Sequence, residues 1–191
     1  MKHLAESVIQ DEHQALAAML RSIPMLVDNW ARQGEKPDFA LLRAMLFYID
    51  EFPERLHHPK ESELLFPRLR QRCPDLTPVL NRLDQEHQRG EAAIRHLERA
   101  LLGYEVMGEP RREAFEIALH RYIDAYLEHM SLEERKVMPA AREHLTEADW
   151  AQLDEAFAAN RDPLTGHPVP ADYQPLFRRI VTQAPAPVGL G

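Results

Sequence analysis

Cysteine is all but missing from this chain: Cys73 is alone among 191 residues. A single thiol excludes an internal disulfide and any site built on cysteine pairs, which leaves a reducing compartment as the natural setting. Long apolar runs are missing too. Nowhere do roughly eighteen uncharged apolar residues follow one another, and the opening MKHLAESVIQDEHQ holds no apolar stretch of signal-peptide length. The expectation is a cytoplasmic protein with no membrane partner. Positive charge is the scarcer sign, with 23 Lys and Arg against 31 Asp and Glu and a net charge of −8. That balance argues against nucleic acid, whose phosphates need clustered cations. What remains is ordinary globular composition, 45% hydrophobic and 28% charged, in a chain of single-domain length.

Four long segments repeat their apolar residues at three- and four-residue steps, and Pro- or Gly-rich breaks separate them. The first spans about Leu4 to Arg32, with Ile9, His13, Leu16, Leu20, Ile23 and Trp30 on one stripe and Pro24 as a kink point. The second, about Phe39 to Arg70, is interrupted by Pro53 and Pro59. Thr77 reads as the N-cap of a third, about Val79 to Gly103, whose stripe is Leu80, Leu83, His87, Gly90, Ile94, Leu97 and Leu101. The fourth spans about Arg111 to Val137, with Phe115, Leu119, Tyr122, Tyr126 and His129 inward. Short connections between amphipathic helices predict an all-α, antiparallel up-down four-helix bundle over residues 1–145. Residues 146–191 form an extension with one or two short helices, the first capped at Thr146, and a Pro-rich tail from Ala184 expected to be disordered.

One arrangement of residues occurs twice. His57 and Glu61 stand four apart with Pro67 ten beyond the histidine, and His129, Glu133 and Pro139 repeat those offsets. An earlier histidine precedes each, His13 by 44 residues and His87 by 42. Residues four apart share a helix face, about one turn from each other. Measured from the turn near Lys36, His13 lies 23 residues back and His57 lies 21 forward; from Gly108, His87 and His129 each lie 21 away. At about 1.5 Å per residue the four histidines come level, in one layer to which two helices add a glutamate. Burying two carboxylates and four imidazoles without a cation would cost several kcal/mol per charge, whereas any one of these histidines alone reads as an ordinary core residue. His96 and His120 lie on the opposite face, and His3, His144 and His167 lie off the layer. A regular helix cannot turn His58 inward together with His57, but Pro59 offers a local distortion that would leave His58 as a group behind the ligands.

The ordered set resembles the hemerythrin-like family, the HHE cation-binding proteins, over about Asp11 to Pro139. The string His57-His58-Pro59-Lys60-Glu61-Ser62-Glu63-Leu64-Leu65-Phe66-Pro67 looks very like the family signature. The resemblance implies two iron ions, Fe2+ or Fe3+, with an oxo or hydroxo bridge. Glu61 and Glu133 would bridge them, and His13, His57, His87 and His129 would be terminal ligands. Oxygen-carrying members place a second histidine one turn past the third-helix ligand, where this chain has Glu91; that residue is either a seventh ligand or an ordinary helix carboxylate. Six such residues leave about four of twelve positions on two octahedral ions for O2, NO or peroxide.

Imidazole and carboxylate donors also suit manganese and zinc. A ferritin-like site needs Glu-x-x-His on two helices, and only Glu54 with His57 fits, which assigns Glu54 to the surface or to a place behind the ligands. Tyr122 and Tyr126 read as core, with a metal-facing hydroxyl as the alternative. The function expected is a module that binds or senses O2, NO or redox state. The alternatives are an iron-handling or peroxide-consuming protein and a metal-free helical interaction module, since no separate nucleophile or phosphate loop is present. Replacing His57 or His129 by Ala is expected to lower bound iron severalfold by elemental analysis, whereas His96→Ala and His120→Ala leave it unchanged; equal losses in all four would refute the face assignment.

Overall fold

The computed structural model describes residues 3–190, and every regular element among them is helical. Helix α1, Leu4–Gln33, carries Pro24 without ending there, and Gly34 closes it in the left-handed conformation (φ 69°) that glycine tolerates best. The run at 39–72 is α2, opened by the Asp38 carboxylate, which accepts the Leu41 N–H at 2.9 Å. Helix α3 is Thr77–Met107. Thr77 is its first residue rather than its cap, because a single tight turn, Pro74–Leu76, already leads the backbone into it. The run at 112–144 is α4, and two shorter helices follow, α5 at Glu147–Phe157 and α6 at Gln174–Gln183. Thr146 does cap α5: its hydroxyl accepts the Asp149 N–H, and the Asp149 side chain accepts the Thr146 N–H.

Neither Pro53 nor Pro59 breaks α2. The helix widens instead, into π-helical turns at Asp50–His57 and Glu61–Leu65, and α4 does the same at Glu133–Val137. In these stretches an N–H reaches five residues back: His58 to Pro53, Phe66 to Glu61 and Met138 to Glu133. Proline supplies the cause, because it lacks an N–H and its ring collides with the carbonyl four residues earlier. Pro67 and Pro139 sit two residues beyond the second and third wide turns, so the repeated offset in the sequence marks a repeated backbone feature. Each of those two turns begins at a site glutamate. Wide turns of this kind are frequent at functional sites.

Helix α1 packs against α2 and α4, and α3 packs against the same two. Helix α5 lies on α1, and α6 on α2. The apolar interior is divided in two. One cluster takes Leu16 to Val27 of α1 together with Met45, Ile94, Phe115 and Tyr126; the other takes Ala5, Ile9, Phe66, Leu83, Val137 and the α5 residues Trp150 and Phe157. On all four long runs the histidine layer falls between these clusters, so apolar packing clamps the polar layer from both ends. The tail does not trail away as expected: Ala184 is fully buried and the Leu190 N–H donates to the Val181 carbonyl at 2.8 Å. Among the described residues no helix is long and apolar enough to cross a membrane.

Candidate metal centre

Six of the seven residues named from the sequence converge. His13, His57, Glu61 and Glu133 offer donor atoms within 4.8 Å of one another, and so do Glu61, His87, His129 and Glu133. The two groups share both carboxylates. Glu61 turns Oε1 to His57 Nε2 (3.1 Å) and Oε2 toward His87 Nε2 (3.6 Å). Glu133 turns Oε2 to His13 Nε2 (3.3 Å) and Oε1 to His129 Nε2 (3.4 Å). Each carboxylate therefore spans the space between two imidazole pairs.

Four atoms here are buried with no hydrogen-bond partner: His57 Nε2, Glu61 Oε2 and both Glu133 oxygens. The short distances above bring charges together without aligning donor and acceptor for these atoms. An unpaired buried carboxylate is costly, and several aimed at one space fit a cation there. Nitrogen and oxygen donors without a thiolate are the set that iron, manganese or zinc accepts, so the residues fit the metal that their pattern implies.

The outer edge of each imidazole is held as metal-binding histidines usually are, with Nδ1 fastened so that Nε2 points inward. His57 Nδ1 meets Glu12 at 2.6 Å, His129 Nδ1 meets Glu86 at 2.9 Å and His13 Nδ1 meets Glu134 at 3.3 Å. His87 Nδ1 meets the Ser62 hydroxyl at 2.8 Å, and that hydroxyl donates to Asp84, which leaves the ring to donate to Ser62. Asn160, beyond α5, donates to both Glu12 oxygens at 2.9 Å, so the C-terminal extension helps to fix His57. None of these partners was identified from the sequence. Glu12 and Glu134 adjoin site residues and were open to notice; Asn160 carries no local signal.

The charges are mutually strained without a cation. Burial alone would lower His13, but the Glu133 and Glu134 carboxylates, each 3.3 Å from one of its ring nitrogens, raise it to about 9. His57 and His129 likewise rise against their burial, because of Glu61 and Glu12 for the first and Glu133 and Glu86 for the second. Burial and the neighbouring His58 push His87 down to about 2, so it is neutral while facing His129 Nε2 at 3.1 Å. The carboxylates separate: burial and Glu133 raise Glu61, whereas His129 and His13 overcome burial and lower Glu133.

Glu91 is the residue that does not join. Its side chain is 64% exposed and paired with Arg95 one turn on, because its helix position faces solvent. The adjoining Gly90 makes room for a different acid, since a Cβ there would overlap the Glu54 carboxylate. Glu54 is not at the surface: it is buried against His58 Nδ1 (3.1 Å) and the Tyr122 hydroxyl (3.3 Å). His58 is buried beside His57, which the wide turn ahead of both permits and a regular helix would not. The remaining histidines lie elsewhere; His96, His120 and His144 are exposed, His167 is half-buried, and His3 stacks on Trp150.

The family model for the hemerythrin HHE cation binding domain matches residues 5–141, and the chain belongs to that family. Relatives include uncharacterized proteins of Mycobacterium tuberculosis and Mycobacterium bovis, each 27% identical over 109 residues, 57% of this chain and 42% of theirs. The chain thus matches less than half the length of these curated relatives. No solved structure shows a significant match.

Burial raises Glu54 from 4.5 to about 7, against the pull of its tyrosine hydrogen bonds. A folded-state value above the unfolded one favours the fold while the unfolded carboxyl is still protonated, and that advantage is lost as pH rises from 4.5 to 7. In urea melts of metal-free protein, wild type should lose up to roughly 3 kcal/mol relative to Glu54→Gln across that interval. A flat or rising difference would show that Glu54 is not buried as an acid.

Proposed function

We propose that this chain holds a non-haem di-iron centre in the layer of His13, His57, Glu61, His87, His129 and Glu133, and that it binds or senses a small oxidant or diatomic ligand such as O2, NO or peroxide. The observation that carries the reading is the placement of Glu61 and Glu133. Each presents one oxygen to each imidazole pair, and three of their four oxygens are buried without a hydrogen-bond partner. Two ions side by side would use both oxygens of each carboxylate, whereas one ion would leave several unused. The proposed frame is an antiparallel up-down bundle of α1 to α4, and the proposed location is the cytoplasm.

In this reading His13 and His57 would hold one ion and His87 and His129 the other, with Glu61 and Glu133 available to both. When bound, a redox-active pair of ions would supply open coordination positions and exchangeable electrons. The chain itself fixes the tautomer of each imidazole through Glu12, Glu134, Ser62 and Glu86, and it excludes bulk water with Phe66, Leu83, Leu16 and Met130. A cavity of about 490 Å³ between α3 and α4 reaches His129 and offers an approach from solvent.

Peroxide consumption is the second reading. It draws on Glu54, a buried acid held by His58 and Tyr122 next to the centre and lining the same cavity, where a proton can be taken up or released near neutrality. Anaerobic loading with Fe(II), followed by air, tests both. About two irons per chain with new near-ultraviolet and visible absorption is the expected result, and sustained oxygen evolution from added peroxide would select turnover over binding. Failure to retain stoichiometric iron would refute the proposal.

A further inference from the structure

We infer that the cavity between α3 and α4 is a binding site for an organic carboxylate with an apolar body, seated beside the metal layer rather than in it. The inference goes beyond the di-iron reading and does not require it, since the residues that make the site lie outside the six proposed ligands.

The first support is size. The cavity holds about 490 Å³, space for roughly sixteen water-sized groups at about 30 Å³ each, whereas O2, NO or peroxide fills the room of about one or two. A route for such small molecules needs no such width, and the volume falls within the range of sites for larger organic ligands. Small residues create it: Gly90 and Ala93 line it from α3, and Ala114, Ala118 and Ala125 from α4. Larger apolar side chains at these positions would have closed the space to ordinary packing density. Ile117 borders the same cavity at 47% exposure, so an apolar wall is left without a partner.

The second support is charge. Glu54, Glu86 and Glu128 line the cavity together with Arg82, Arg89 and Arg121, but the acids are already engaged. Glu86 meets His129 Nδ1 at 2.9 Å and Arg82 at 2.8 Å, and Glu128 faces Arg82 at 3.9 Å and Arg135 at 3.8 Å. Glu54 is enclosed by His58 and the Tyr122 hydroxyl. Arg89 and Arg121 pair with no acid among the described residues. In a chain of net charge −8, two unengaged guanidiniums on one apolar cavity are a local excess of positive charge. Guanidinium binds carboxylate through charge-assisted hydrogen bonds. Arg89 and Arg121 thus supply the partners of the anionic end, and the alanine wall with Ile117 takes the apolar body. A ligand seated there would also cover the approach from solvent to His129.

The test is calorimetric titration of the full chain with decanoate. Wild type should bind one equivalent saturably, and decyltrimethylammonium, which carries the opposite charge on the same chain, at least about tenfold more weakly. The double variant Arg89→Gln, Arg121→Gln should weaken decanoate by at least about tenfold. Ala93→Trp fills the cavity from an exposed position and should abolish binding while the far-ultraviolet circular dichroism stays unchanged. The inference would be overturned by no saturable heat with decanoate, by equal affinity for the two probes, by unchanged affinity in the arginine variant, or by full binding in Ala93→Trp. A wild-type dimer that Ala93→Trp dissociates in sedimentation would overturn it too, by giving the cavity to a second copy of the chain. Loss of decanoate binding refutes this site alone, and failure to retain iron refutes the di-iron reading alone.

Discussion

Two carboxylates, Glu61 and Glu133, are buried side by side at 1% exposure with most of their oxygens unpaired, and the rest of the molecule is arranged around that fact. Each buried charge loses several kcal/mol of solvation, and two like charges add repulsion to that loss. Three of the four imidazoles answer it in part, since His13, His57 and His129 are all pushed toward the protonated form. They cannot answer it fully, because His87 is held neutral. A pair of divalent cations would satisfy both carboxylates and all four Nε2 atoms at once. Metal binding would then contribute to folding as well as to function, since the unfolded chain has no such site.

The layer is held in position from outside. Apolar clusters above and below fix the height of the four helices, and the outward bonds of each imidazole fix its rotation. The extension takes part in this: α5 buries Trp150 and Phe157 against the first helix and its neighbours, and Asn160 completes the chain from Glu12 to His57. The family model matches residues 5–141, so Asn160 makes this contact from outside the matched region.

Much of this was legible in the sequence because it obeys regular helix geometry. The stripes of α1, α3 and α4 named the buried faces, and counting back from the turns near Lys36 and Gly108 brought His13, His57, His87 and His129 level, as the structure has them. What escaped detection departs from regularity or acts at a distance. The wide turns before His58 and at Glu61 and Glu133 shift the phase of α2 and α4, so His58 turns inward where a regular helix would not allow it. Their trace was the prolines at 53, 67 and 139, of which Pro53 read as an interruption and Pro67 and Pro139 only as a repeated offset from His57 and His129. Glu91 was considered for the site because its spacing from His87 is right, but its side chain faces solvent while the glycine beside it makes room for Glu54. Asn160 lies 148 residues from Glu12, and no periodicity connects them.

The most direct test of the two-carboxylate account is a crystal of the iron-loaded protein measured at the iron absorption edge. The account predicts two anomalous peaks per chain, each touching one oxygen of Glu61 and one of Glu133, with His13 and His57 on one and His87 and His129 on the other. A single peak, or peaks away from both glutamates, would contradict it.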